Sequence, residues 1–375
     1  MFKKIFLNIK NFFLIIKNIN EINKVKPKFI FYSENKSYLK YAYLLIESIS
    51  KKYPGEIYYV SSDIEDKITN IDVKNMFIGR GILMQYFFLS VKGKNMFLTL
   101  TDLDNSIVKK NKHIENYIYF FHAAVSSTKI YTETAFDNYD QIFCNGDYHV
   151  KEIRKREELA NLNKKKLIKS GYFYFDYLEQ KINKNDICNE ILVAPSWNKA
   201  KKNFINENFE TIIDKLIKEG FKVRFRPHPE NLKRSMKILN HFKEKFKGDN
   251  FIFDNEPENL IALEKSKCLM TDTSGIAIEY LLLMKRPILY FEDLDKIHNV
   301  QFDMFKDLET MDSKVKSKFG YKFDKNQIDN LKEKINFAIS DFKDKDKSIV
   351  DFIEENFYNY NKTINYFDKE ILKDL

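Results

Sequence analysis

An alternation of short apolar runs with longer amphipathic ones constrains the fold most, and it is set out twice. From about Lys28, "KFIFYSE" reads as a strand ending in polar residues, "SYLKYAYLLIESISKKYP" as a helix and "EIYYVSS" as the next strand. "KNMFLTLT" and "NYIYFFH" are two further strands, and "AFDNYDQIFCNG" closes on a strand and a turn. From about residue 185 the alternation resumes with the strand "EILVAPSW" and the helix "ENFETIIDKLIKEG", stopped by Gly220. "KVRFRPHP", "NFIFD", "NLIALEKS", "KCLMTDT", "SGIAIEYLLLM" and "RPILYF" follow. Strands separated by helices build parallel sheets covered on both faces. The expectation is α/β: two Rossmann-like, doubly wound domains facing a cleft. Residues 26–184 make the first domain with a charged connector, 185–323 the second, and 324–375 helices that pack back on the domains.

Ahead of these lies "MFKKIFLNIKNFFLIIKNIN". Its apolar residues, Phe2, Ile5, Phe6, Ile9, Phe12, Phe13, Ile16 and Ile19, recur at helical spacing, and Lys3, Lys10 and Lys17 repeat every seventh residue opposite them. Lys10 and Lys17 interrupt any spanning segment, and no small-residue cleavage site follows. Residues 1–25 read as a basic amphipathic helix, fit through residues 1–20 to lie on an anionic membrane or else to pack on the chain's own core. The net charge of +9 comes from 63 basic residues interleaved with 54 acidic ones, as on solvated faces, so it gives no warrant for a nucleic-acid partner. Cys144, Cys188 and Cys268 are too scattered for a zinc site and suit a reducing cytoplasm.

Four stretches carry candidate chemistry. In "FKVRFRPHPENL", Pro227 and Pro229 stiffen the chain on either side of His228, at the carboxyl edge of a strand where open α/β sheets place ligands. Arg226, two residues before, is a candidate to meet a phosphate with it. In "KCLMTDTSGIAIEYLLLM" a strand runs into Asp272, Thr273, Ser274 and Gly275 and then a helix. Thr273 or Ser274 would cap that helix and Gly275 would let a ligand approach, which makes a phosphate site; a plain cap is the simpler reading. Glu279, one turn on, would reach a ribose hydroxyl or face solvent. In "YIYFFHAAVSSTKIY", His122 ends a strand of the first domain and is a candidate general base, with Ser126 and Ser127 toward the acceptor, or a core histidine. Asp102 and Asp104 form an Asp-x-Asp after a strand, a short pattern that would also suit a divalent cation.

Taken in order over about residues 95 to 295, these stretches resemble the CDP-glycerol glycerophosphotransferase family of teichoic-acid and capsule synthesis. "FFHAAVSS" is similar to its His-Gly-Thr-type segment, "GYFYFDYL" to Gly-Tyr-Pro-Arg-x-Asp and "VAPSWN" to Ala-Pro-Thr-Trp-Arg. "RFRPHP" is similar to its Arg/Lys-x-His-Pro strand end, and "MTDTSGIAIEYLLLMKRPILYF" to its Asp-x-Ser-Ser helix followed by Lys-Pro-Ile. The resemblance implies a GT-B fold and transfer of an alditol phosphate from a CDP-linked donor to a hydroxyl, with CMP released. It implies His122 as base, His228 as phosphate-stabilising histidine, and Arg226, Asp272, Thr273, Ser274, Gly275, Glu279, Pro195 and Ser196 as the donor side. No cofactor is expected and no metal is obligatory; "TDLDNSIVKK" is similar to capsule-type relatives, which weakens a metal reading of Asp102 and Asp104. Ala123 and Asn198 stand where the family has Gly and Arg, and "GYFYFD" lacks its Pro-Arg pair. These departures leave donor and acceptor open. The expected partners are a CDP-linked alditol, a surface polysaccharide or lipid-linked acceptor, and the inner face of the cytoplasmic membrane. The alternatives are a GT-B glycosyltransferase or nucleotide-sugar 2-epimerase, and a non-enzymatic membrane- or nucleic-acid-binding scaffold.

Overall fold

A computed structural model describes residues 2–184, 189–197, 205, 207–291 and 296–375. Cys188 and Asn198 lie outside the described residues. The chain divides into two compact units: Met1–His122 with Tyr131–Tyr177 and Asn356–Leu375, and Ala123–Ile130 with Leu178–Glu355. The sequence places the division at 184; the contacts place it at 177, and they send residues 123–130 to the second unit.

The first unit holds a parallel seven-stranded sheet. Its strands are β1 (Phe29–Ser33), β2 (Ile57–Ser61), β3 (Lys74–Phe77), β4 (Gly93–Leu98), β5 (Ile114–Phe120), β6 (Gln141–Phe143) and β7 (Lys166–Ile168). They are ordered β3-β2-β1-β4-β5-β6-β7. Every residue of β1 and β2 is buried, as expected of strands covered on both faces. Phe31, Phe97, Ile118 and Phe143 pack there against the helix Leu39–Lys52. The second unit holds a six-stranded sheet of β8 (Glu190–Val193), β9 (Lys222–Phe225), β10 (Phe251–Phe253), β11 (Ser266–Thr271), β12 (Ile288–Phe291) and β13 (Gly320–Phe323). Their order is β10-β9-β8-β11-β12-β13, again all parallel. In both sheets the winding reverses beside the first strand, at β1/β4 and at β8/β11. Such switch points open a crevice at the carboxyl edge.

The strands β3, β7 and β13 and the helix Ile82–Ser90 carry no clear sequence signal. β3 exposes Lys74 and Asn75, and β7 is three residues long.

The helix Phe2–Val25 forms as expected, but its apolar residues divide. Ile15, Ile19 and Ile22 are buried, and Asn18 Nδ2 donates to the Phe77 carbonyl, so this part packs on the first unit's own core. Phe12 and Phe13 stay exposed, Phe13 by 66%.

Residues 356–375 complete the first unit. Phe367, Ile371, Leu372 and Leu375 are buried in its core, and Lys94 Nζ and Asn95 Nδ2 donate to the Leu375 oxygen. Gly171 makes this possible. It has φ +95°, and a Cβ there would lie 2.3 Å from the Tyr358 carbonyl oxygen.

Candidate functional site

The carboxyl edge of the second sheet gathers most of the candidate residues. Val193 pairs with Phe225 on one side and Met270 on the other, so β8, β9 and β11 end level. The segments that follow them, Pro195–Trp197, Arg226–His228 and Asp272–Gly275, therefore leave the sheet at the switch point.

His228 is the N-cap of the helix Pro229–Arg234, with a proline at its first position. Its Nδ1 accepts the Glu230 N–H at 3.1 Å. A neutral imidazole that accepts at Nδ1 carries its proton on Nε2, so Nε2–H is fixed as a donor. The two prolines hold the ring in place, and the cap fixes its tautomer.

Arg226 is arranged differently from the expectation. Its guanidinium donates to Asp254 Oδ1 at 2.7 Å and to the Glu256 carbonyl at 2.9 Å. Arg224 also donates to Asp254 and to Glu190. The two arginines thus brace the ends of β8, β9 and β10, and Arg226 points its charge at a carboxylate.

Asp272 is fully buried. It accepts the Ser196 N–H at 2.9 Å and the Ser196 hydroxyl at 2.8 Å, and burial pushes its pKa up. Asn231 Nδ2 donates to the Ser196 carbonyl. Asp272 and the buried Pro195–Ser196 segment therefore latch three loops together and turn no polar group outward. The helix that follows is Ile276–Met284, and its N-cap is Gly275 rather than Thr273 or Ser274, with no side-chain cap. The half-buried hydroxyls of Thr273 and Ser274 have no hydrogen-bond partner among the described residues, so they and the helix N-terminus are available to an anion. Gly275 packs on Val125: a Cβ there would come within 3.1 Å of Val125 Cγ1. Glu279 is buried and accepts from Asn259 Nδ2 at 2.8 Å, so it is no surface glutamate.

The segment 123–130 is built into the same unit. Ser126 is fully buried, and its hydroxyl accepts the Met311 N–H at the start of the helix Met311–Phe319. Ser127 is buried as well. The expectation places both toward the acceptor; in the structure both side chains are buried. Further along, the Asn299 amide donates to the Thr128 carbonyl, and the His298 N–H to the Lys129 carbonyl. The His298 ring meets Trp197 edge-on, and the Arg234 guanidinium lies over that indole, 5.5 Å from its centroid.

Three charged side chains here have no motif. Lys296, five residues past β12, is half-buried, and burial lowers its pKa against the pull of Asp272 and Asp312. Burial raises the pKa of Asp312, opposed first by Lys129, which is itself buried. Nothing in "FEDLDKIHNV" marks Lys296 from sequence, because its setting comes from distant segments.

In the first unit, His122 stands two residues past β5, ringed by Tyr38, Tyr41 and Tyr131 at centroid distances of 5.7, 6.0 and 6.1 Å. Burial is the main cause that pushes its pKa down to about 4; the Lys40 charge adds to this and a hydrogen bond to the Thr99 carbonyl opposes it. Its Nδ1 is buried with no hydrogen-bond partner among the described residues. One nitrogen donating to Thr99 leaves Nδ1 with a lone pair, the form a base needs. Asp102, by contrast, accepts from the Thr132 and Thr134 hydroxyls, the latter at 3.0 Å. It and Asp104 have φ of 60° and 66°, so both serve a tight turn. No group of three or more metal-ligating side chains occurs among the described residues.

Comparison with known proteins bears on this site. No curated protein matches the chain in sequence. The wall teichoic acid polymerase TagF is similar in structure, with a TM-score of 0.63 at 16% identity over 100% of this chain and 97% of that one. UDP-GlcNAc 2-epimerase of Methanocaldococcus jannaschii gives 0.58 at 14% identity, over 91% of this chain and 98% of that one. MnaA of S. aureus, in a co-structure with UDP, gives 0.55 at 11%, over 93% and 96%. These likenesses establish a GT-B-like fold of two Rossmann-like domains. Residues 137–312 match the family described as CDP-glycerol:poly(glycerophosphate) glycerophosphotransferase, and that span takes in β6 to β12 and the whole edge around His228 and Asp272. Over this span the chain is similar to the CDP-glycerol glycerophosphotransferase family, and the match indicates a transferase of that type.

Proposed function

We propose that the chain moves an alditol phosphate, glycerol phosphate or ribitol phosphate, from a CDP-linked donor to a hydroxyl of a surface polymer. The observation that carries this reading is His228, a ring whose Nε2–H is fixed as a donor at the carboxyl edge of the second sheet. The acceptor oxygen attacks the donor's β-phosphorus, the bond from that phosphorus to the bridging oxygen breaks, and CMP leaves with the electron pair. The acceptor proton passes to His122, which is neutral at pH 7 because its pKa lies near 4. Charge developing on the phosphoryl oxygens is met by His228 Nε2–H and by the Thr273–Ser274 turn. Asp272, Ser196 and Arg226 hold these groups in position, and Glu279 suits a ribose hydroxyl.

For localisation, the exposed Phe12 and Phe13, and Ile82, Tyr86 and Leu89 at i, i+4 and i+7 of the helix Ile82–Ser90, support docking on an anionic membrane surface. No described helix is long and apolar enough to cross a membrane.

The test is donor screening. Purified protein is given CDP-glycerol, CDP-ribitol and a panel of UDP-sugars with a polymer acceptor, and CMP and UDP release are followed. CMP release from a CDP-alditol, dependent on acceptor, is the expected result. UDP release alone would transfer the site to sugar-nucleotide chemistry, which the epimerase neighbours share by fold.

A further inference from the structure

We propose that Lys296 is the cation that binds the donor's diphosphate, the role that sequence spacing gives to Arg226. The inference rests on the reading of this edge as a nucleotide-diphosphate site and adds a residue to it.

The first observation is that Arg226 is already engaged. Two of its guanidinium nitrogens are held by Asp254 and the Glu256 carbonyl, inside a network with Arg224 and Glu190. A diphosphate needs cationic compensation, and the phosphate turn at Thr273–Ser274 supplies only hydroxyls and a helix end.

The second observation is where Lys296 lies. Two residues past Lys296, the His298 ring meets Trp197, in the segment that leaves β8 at the same carboxyl edge as the turn Asp272–Gly275. Lys296 feels the charges of both Asp272 and Asp312. It is therefore electrically part of the phosphate turn's surroundings.

The third is that Lys296 is half-buried yet makes no hydrogen bond and no ion pair within 4.0 Å among the described residues. An ammonium kept from water without a partner is unfavourable, and folds retain one where an anion arrives to complete it. The neighbouring carboxylates do not fill that place. Asp272 is saturated by the N–H and hydroxyl of Ser196. Asp312 has Lys129 as its leading charge partner, and its Oδ2 is buried with no hydrogen bond of its own. Asp272 and Asp312 oppose the lowering of the Lys296 pKa that burial causes.

A cation held for a ligand and a cation held for the fold respond oppositely to removal. Lys296→Met and Lys296→Arg are compared with wild type in two measurements, the thermal midpoint without ligand and the affinity for CDP and for UDP by calorimetry. The expected result for Lys296→Met is an unchanged or raised midpoint with nucleotide-diphosphate affinity about tenfold lower or worse, the scale of one charge-assisted contact. Lys296→Arg should recover part of that affinity. A lowered midpoint with unchanged affinity for both nucleotides would make Lys296 a structural partner of Asp312 and overturn the proposal. UDP bound in preference to CDP, with the same dependence on Lys296, would keep this assignment and sink only the CDP-alditol reading. Wild-type protein that binds neither nucleotide would overturn both.

Discussion

His228 and His122 sit in opposite settings, and each setting carries a prediction. His228 gives its Nδ1 to the helix cap, so the working atom is Nε2–H. His228→Ala should cut turnover by roughly 10²-fold, the scale of one lost transition-state donor. His228→Gln keeps an amide N–H near the same place and should recover part of the rate; an alanine variant with near-normal turnover would make the ring structural. His122 has its pKa lowered to about 4 by burial. In free enzyme it is the base form above pH 4, so the acid limb of kcat/KM should show no step near the ordinary histidine pKa of about 6.5. The sign for stability follows too: the unfolded chain binds a proton there between pH 6.5 and 4 and the folded one does not, so this stabilising contribution is present above pH 6.5 and lost as pH falls toward 4. A kcat/KM limb at 6.5 that disappears in His122→Ala would refute the low pKa. His228 was legible because its flanking prolines are local in sequence. The partners of Arg226 are not legible in the same way, because Asp254 and Glu256, which hold it, are 28 and 30 residues away.

At the level of elements, the loops after β8 and β11 are joined by the Asp272–Ser196 pair rather than by apolar contact. Removing the carboxylate strands a buried N–H and a buried hydroxyl. Asp272→Ala should therefore lower stability by roughly 2–4 kcal/mol in urea unfolding. Asp272→Asn, which retains an accepting oxygen and drops the buried charge, should cost clearly less. Equal losses would mean the charge itself matters more than the hydrogen bonds. Gly171→Ala should act elsewhere: a left-handed φ and the close Tyr358 carbonyl predict a loss above about 1 kcal/mol and faster proteolytic release of residues 356–375. Several of the strands that the sequence announces are buried along their whole length, such as "FIFYS" and "ILYF". Those that it hides lie toward the sheet margins, where partial exposure erases the apolar run: β3 and β13 are the last strands of their sheets, and β7 is the last of the first. Residue type before a helix suggests Thr273 or Ser274 as the cap, whereas the backbone places it at Gly275, one residue past Ser274.

For the molecule as a whole, the exposed apolar side chains of Phe13 and Leu89 give a membrane test that spares the fold. Deleting residues 1–20 would also remove the buried Ile15 and Ile19, and so would confuse detachment with unfolding. Phe13→Ser combined with Leu89→Ser should leave the thermal midpoint in place and reduce co-sedimentation with phosphatidylglycerol vesicles, while phosphatidylcholine vesicles bind weakly throughout. Unchanged sedimentation with the anionic vesicles would leave these residues without a membrane role.

The path of the chain has one more consequence, for synthesis. It passes from one unit to the other at 122/123, 130/131, 177/178 and 355/356. Phe367, Ile371, Leu372 and Leu375 belong to the first unit's core, yet they follow the whole of the second unit in the chain and so are made after it. Until they emerge, the sheet made first keeps an uncovered apolar face, while the second unit already has everything it needs by residue 355. The order of completion is thus the reverse of the order of synthesis, and the half made first is the one that depends longest on protection from aggregation.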